Sequence, residues 1–189
     1  MNRCDFINFI FCEPILFIIS FLFISPIIIF IIFNWIFFFE AIKIAKWLDE
    51  FDVTWFEDPI DNNDIDSLIY VSQNSPVRII AGEGFDKYKD FTRFASSNAT
   101  DIVNPEVIKI GGIGGAIKVA NICSSFDVDL AFHNAESPLK TMTNLQLCGA
   151  IKNIYIQECF DEFNEDWIGE LFPNYEKVKD GHLSIPERP

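Results

Sequence analysis

The chain divides into an apolar segment and a longer segment in which short apolar runs alternate with amphipathic ones. Residues 1–40 are dominated by Ile and Phe, and no charged residue lies between Glu13 and Glu40. From residue 41 onward, apolar residues at helical spacing alternate with short, continuous apolar runs. Helices that alternate with strands predict an α/β fold with a parallel sheet or a (β/α) barrel.

The alternation repeats along residues 41–189. After a first helix near 41–48, the pattern predicts strands and helices in strict order. The predicted strands are 53–56, 77–81, 101–103, 128–132 and 153–156, and the predicted helices between them are 65–73, 88–97, 115–124 and 139–150.

An ionisable side chain follows each predicted strand. The five residues are Glu57, Glu83, Glu106, His133 and Glu158, spaced 23 to 27 residues apart. A complete barrel needs about 30 residues per unit, and its active site lies at the carboxyl ends of the strands. The sequence therefore predicts a partial (β/α) TIM-type barrel with five reactive side chains at one end.

These residue types suit a particular chemistry. Carboxylate oxygens are ligands that Mg²⁺ prefers, and Mg²⁺ keeps positions open for water and substrate. A histidine beside a carboxylate, here His133 preceded by Glu106, has the arrangement of a general base. Glu158 could donate a hydrogen bond to an oxyanion formed nearby. Together they predict abstraction of a proton alpha to a carboxylate, whereas His182 is expected in a surface turn.

The Ile/Phe-rich segment 1–40 carries no chemistry of its own, and three interpretations of it stay open. Residues 14–39 are long and apolar enough to form a transmembrane helix, with possible membrane contact. Translated AT-rich non-coding sequence would have the same Phe and Ile bias, which would make the segment non-native. Structural core is the third interpretation.

The charge and the cysteine content limit the kinds of binding partner and the cellular compartment that we expect. The 189 residues hold 14 Lys and Arg against 28 Asp and Glu, for a net charge of −14. This balance disfavours a nucleic-acid partner, because phosphate binding depends on clustered cations. Five cysteines without paired spacing disfavour a disulfide framework or a zinc site and indicate free thiols in a cytoplasmic protein.

Residues 41–189 resemble the C-terminal barrel domain of the mandelate racemase and muconate lactonizing enzyme branch of the enolase superfamily. The matching segments are 55–59 (WFEDP), 81–83 (AGE), 104–106 (NPE), 109–113 (KIGGI), 133–134 (HN), 156–158 (IQE) and 180–186 (DGHLSIP). Within the branch, His133 and Asn134 with the nearby segment 137–139 (SPL) are most similar to acid-sugar dehydratases of the galactonate and gluconate kind.

The resemblance implies a Mg²⁺-dependent dehydration of a small sugar acid to a 2-keto-3-deoxy acid. By position, Glu57 and Glu83 would be metal ligands, and His133 would be the base or acid. Glu106 would be the partner of His133, Glu158 the acid that stabilises the enediolate, and Asn134 a substrate contact or a support for a neighbouring residue. A homo-oligomer is expected if the protein is full length.

The chain also departs from the family pattern. The match covers about strands 4–8 of the family's barrel and lacks the third-strand Asp ligand, the second-strand bases and the capping domain. The family's Asp partner of the histidine is Glu106 here. We therefore expect a truncated form with poor activity or none. The alternatives are a membrane-anchored, non-catalytic barrel remnant and a racemase or cycloisomerase of the same superfamily.

Overall fold

A computed structural model describes residues 26–135, 137–159, 168–173, 175 and 178–185, with side chains from Phe38 onward except at positions 168 and 169. The chain divides into two compact units, Met1–Phe37 and Phe38–Pro189. The second unit contains all the residues to which the sequence assigns chemistry. The predicted boundary between residues 40 and 41 stays a prediction.

Among the described residues, four parallel strands form the sheet, in the order in which they occur along the chain. They are β1 (Trp55–Glu57), β2 (Arg78–Ala81), β3 (Ile102–Val103) and β4 (Asp129–Leu130). A single parallel bridge between Leu130 and Ile154 continues the sheet at the fifth predicted strand. The α/β fold with a parallel sheet is confirmed, and it matches a partial barrel.

Helices separate successive strands, as the hydrophobic spacing predicts. The described helices are α1 (Pro26–Glu50), α2 (Ile65–Asn74), α3 (Tyr88–Ser97), α4 (Gly112–Ser124), α5 (Pro138–Ala150) and α6 (Ile168–Leu171). Each helix between strands returns the chain to the amino-terminal edge of the sheet. Every strand therefore ends at the same edge, where the ionisable residues follow.

The core lies between the sheet and its helices. Its largest fully buried apolar side chains come from α2, α3, two of the strands and the segment after β4; they are Phe91, Phe94, Phe132, Leu68, Ile79 and Leu130. Ile102 of β3 is equally buried but belongs to a separate cluster with Ile80 and Ala131. Cys123 and Cys148 are free, and burial raises the pKa of their thiols to about 12 and about 11. These thiols stay protonated at neutral pH, which makes them poor nucleophiles and metal ligands.

The apolar segment 1–40 falls mostly outside the described residues, since the described backbone begins at Pro26. No helix within the described residues is long and apolar enough to cross a membrane. The transmembrane helix predicted over residues 14–39 thus has no support there.

Candidate active site

His133 lies between two carboxylates at the carboxyl edge of the sheet. Its Nε2 atom is 2.9 Å from Oε2 of Glu83, and its Nδ1 atom is 2.8 Å from Oε2 of Glu106. The backbone N–H of His133 donates to the carbonyl oxygen of Pro105 at 3.3 Å, which ties the segment after β4 to the segment after β3. Three of the five residues predicted at the strand ends, Glu83, Glu106 and His133, are thus in direct contact.

Glu106 is almost completely buried, with 2% of the residue exposed. Its Oε1 atom accepts from the backbone N–H of Ile108 at 3.0 Å, and its Oε2 atom accepts from Lys140 as well as contacting His133. Burial by itself raises the pKa of a carboxyl group, but hydrogen bonds from Lys140, His133 and Ile108 outweigh burial and lower the pKa of Glu106. Glu106 is therefore an ionised acceptor at neutral pH.

Glu57 ends β1 and faces the same region. Its Oε1 atom accepts from the side-chain amide of Asn104 at 2.6 Å, and Asn104 is itself 3% exposed. Partial loss of hydration raises the pKa of Glu57, and the negative charges of Glu158, Asp58 and Glu83 raise it further, with His133 opposing them. Several carboxylates therefore lie close enough to repel one another.

Glu158 is held by Asn134. The backbone N–H of Asn134 donates to Oε2 of Glu158 at 2.5 Å, and the Asn134 side-chain amide donates to the Glu158 carbonyl oxygen at 2.9 Å. The same amide donates to Oγ1 of Thr141 at 2.8 Å, and Asn134 is 2% exposed. This geometry favours the supporting role for Asn134, whereas the substrate contact stays a prediction.

The donor set suits a hard divalent cation. Glu57 and Glu83 offer carboxylate oxygens, and the charges that raise the pKa of Glu57 would be relieved by a bound cation. Among the described residues, no group of three or more His, Cys, Asp or Glu side chains is placed to hold a metal ion. The carboxylates of Glu57 and Glu83 are nevertheless of the chemical type that Mg²⁺ prefers, and with two of them the other positions would be left to water and substrate.

The sequence patterns did not identify two contributors to this site. Lys140 lies in the first turn of α5 and is 4% exposed, and Asn104 lies directly after β3. A signal for Lys140 was available, since it lies one helical turn before Asn144 and two turns before Leu147, which are both buried, and so shares their face. Asn104 directly follows the predicted strand 101–103 and lies in the matching segment 104–106, but nothing in the sequence indicated its contact with Glu57.

The second histidine lies apart from these residues, as expected. His182 is exposed and pairs with Lys179 in an isolated antiparallel bridge, which closes a turn at Asp180 and Gly181. Its Nδ1 atom is 2.7 Å from the carbonyl oxygen of Asp180. The predicted surface turn is confirmed.

This chain resembles many curated proteins and solved structures, among them two acid-sugar dehydratases. D-xylonate dehydratase of Haloferax volcanii is 29% identical over 153 residues, covering 79% of this chain and 36% of the relative. D-gluconate/D-galactonate dehydratase of Picrophilus torridus is 35% identical over 153 residues, covering 79% of this chain and 38% of the relative. The chain thus spans little more than a third of the length of these relatives.

The solved structures agree with the fold. An enolase from Pantoea ananatis, with bound D-gluconate and Mg, superposes with a TM-score of 0.68 at 27% identity, covering 76% of this chain and 35% of that one. The 3,6-anhydro-D-galactonate cycloisomerase of Zobellia galactanivorans gives a TM-score of 0.70 at 25% identity, covering 79% of this chain and 42% of that one.

A family model confirms what the order of strands and the strand-end residues indicate. It is described as "Enolase C-terminal domain-like" and matches residues 34–189, which include every residue of the site described above. The chain belongs to the enolase C-terminal domain-like family.

Proposed function

We propose that this chain carries the acid–base half of a Mg²⁺-dependent sugar-acid dehydratase. The observation that carries the proposal is the position of His133, whose Nδ1 atom is 2.8 Å from the buried carboxylate of Glu106. An ionised partner on Nδ1 fixes the ring, and Nε2, which lies 2.9 Å from Oε2 of Glu83, is then the ring atom that would exchange a proton. The names of the relatives, which are acid-sugar dehydratases, supply the reaction and the class of substrate.

Each residue of the site has a part in the proposal. Glu57 and Glu83 would hold Mg²⁺, which supplies positive charge to a substrate carboxylate when bound. His133 exchanges a proton at Nε2, and Glu106 keeps the ring in place at Nδ1. Glu158, held by the backbone N–H of Asn134 at 2.5 Å, is positioned to donate a proton or hydrogen bond when it is protonated.

We expect turnover to be slow. Mg²⁺ demands near-ideal geometry and dehydrates reluctantly, so two protein carboxylates should bind it more weakly than three. Glu106 is also one methylene longer than the Asp of the family, and a shift of His133 by more than about half an ångström would lower its efficiency. Poor activity of residues 1–189 is therefore part of the proposal.

The proposal is tested by product formation at high protein concentration. The full chain is incubated with Mg²⁺ and, in separate reactions, D-xylonate, D-gluconate or D-galactonate, and 2-keto-3-deoxy acid is measured. We expect slow product formation from at least one acid, lost in EDTA and in His133→Asn. The matched control is His182→Asn, which changes the other histidine of the chain. No product from any of the acids, or product that survives His133→Asn, would overturn the proposal.

A cycloisomerase is the second candidate, because the Zobellia cycloisomerase covers 79% of this chain at 25% identity. Removal of an alpha proton is a chemically reasonable first step of both reactions, so His133 would have the same part. The two are distinguished by the product: a dehydratase yields a keto acid one water lighter than its substrate, whereas a cycloisomerase yields an isomer of equal mass.

A further inference from the structure

Lys140 is a buried charge in an unfavourable position. It lies in the first turn of α5, where its backbone N–H donates to the capping Oγ of Ser137 at 3.4 Å. The positive end of the helix dipole opposes a cation there, and 97% burial of the side chain removes most of its hydration. A lysine that is opposed by the helix dipole and has also lost its hydration needs a compensating interaction.

The carboxylate of Glu106 provides such an interaction. Lys140 Nζ donates to Oε2, which also contacts His133 Nδ1 at 2.8 Å, while the Ile108 N–H donates to Oε1 at 3.0 Å. The three donors come from α5, from the segment after β4 and from the segment after β3. The carboxylate cannot rotate without breaking at least one of these contacts.

The shared oxygen restricts the histidine ring. An oxygen that accepts from a lysine ammonium is ionised and can only accept, so the 2.8 Å contact to His133 requires a proton on Nδ1. Nε2 then faces Glu83 at 2.9 Å, on the side where a cation and a substrate would bind. Because glutamate has one more rotatable bond than aspartate, Glu106 without its lysine would have more conformations open to it.

We propose that Lys140 is a positioning residue, which acts through Glu106 to hold the His133 ring with Nδ1–H donated to the carboxylate and Nε2 turned toward Glu83. The inference deepens the proposed function, in which His133 Nε2 exchanges the proton. The contacts that carry it are nevertheless present without substrate or metal. It can therefore be tested without any turnover.

The test is the exchange of the His133 Nδ1–H proton with water, followed by NMR on the full chain labelled with ¹⁵N-histidine. Only two histidines contribute signals, and His182→Asn assigns them. We expect a slowly exchanging Nδ1–H in the unchanged protein and exchange faster by about tenfold or more in Lys140→Met, because a hydrogen bond to a charged, well-placed acceptor is lost. Lys140→Arg, which keeps the charge, should recover most of the protection.

The control is Lys89→Met, which removes an exposed lysine on α3 and should leave the exchange unchanged. A folded Lys140→Met protein with unchanged exchange would overturn the inference, since a purely structural lysine would leave the ring contact intact. If Lys140→Met does not fold, Lys140→Gln, which keeps a donor without charge, must show the same acceleration, and unchanged exchange there is equally contradictory. A chain that keeps this signature but forms no product would refute the proposed function alone.

Discussion

At the scale of single residues, the buried pair of Glu106 and Lys140 dominates the electrostatics of the site. Their side chains are 2% and 3% exposed, so each buried charge needs compensation, to which the other member of the pair contributes directly. Removing one member of such a pair leaves an uncompensated buried charge, which typically costs about 3–5 kcal/mol. We therefore expect a large loss in the free energy of unfolding when either member of the pair is replaced.

We predict that Glu106→Gln lowers the free energy of unfolding by about 3 kcal/mol at neutral pH, measured by urea denaturation. The control is Asp129→Asn, which breaks the half-exposed pair of Asp129 with Arg78 and should cost less than about 1 kcal/mol. Because the folded-state pKa of Glu106 is lowered, its stabilisation is present above the unfolded value and is lost as pH falls through the folded value. Equal losses in both variants at neutral pH would contradict this account.

The opposite pKa shift at Glu57 gives a second prediction. Its folded-state pKa is raised, so ionisation of Glu57 destabilises the folded protein once pH rises above the unfolded value. We expect Glu57→Gln to raise the urea midpoint in EDTA at neutral pH and to reduce the stabilisation that Mg²⁺ gives the unchanged protein. That stabilisation should reach about 2.7 kcal/mol at a hundredfold excess over the Kd.

The control for Glu57→Gln is Glu50→Gln, at the exposed end of α1. It should leave both the midpoint in EDTA and the response to Mg²⁺ unchanged. A Glu57→Gln protein that Mg²⁺ stabilises as much as the unchanged chain would remove Glu57 from the metal site.

At the scale of elements, the sequence predicted the order of strands and helices because their hydrophobic periods differ. It placed the start of α4 at residue 115, whereas the helix begins at Gly112, since glycines carry no periodic signal. The predicted strand 153–156 is reduced to one bridge at Ile154, because pairing depends on a neighbour that local sequence does not specify. Helical spacing indicated the buried face on which Lys140 lies, but it could not identify its partner Glu106, which is 34 residues away.

Two glycines in α4 provide a matched test of its packing. A Cβ at Gly115 would lie 1.9 Å from the backbone oxygen of Ile110, whereas a Cβ at Gly114 would have nothing within 4 Å. We predict that Gly115→Ala costs about 2 kcal/mol or more through overpacking. Gly114→Ala should instead stabilise the protein by about 0.5–1 kcal/mol through helix propensity. Similar urea midpoints for the two variants would refute the close approach of α4 to Ile110.

At the scale of the whole molecule, the compact unit Phe38–Pro189 contains every described residue of the site. Its described core begins with Phe38, which packs edge-on against Tyr70 at a ring distance of 5.1 Å. We therefore predict that a chain of residues 38–189 unfolds cooperatively and responds to Mg²⁺ as the full chain does. Loss of the cooperative urea transition in this shorter chain would show that residues 1–37 are required for the fold.

The most direct test of the central claim is loss of the C2 proton of a sugar acid in D₂O. The full chain is incubated with Mg²⁺ and D-gluconate, and the C2–H signal is followed by ¹H NMR. If His133 removes an alpha proton, the signal decays, whether the proton is exchanged or product forms, and decay stops in His133→Asn but continues in His182→Asn. A C2–H signal that stays constant with the unchanged chain, or decays equally in His133→Asn, would contradict the account.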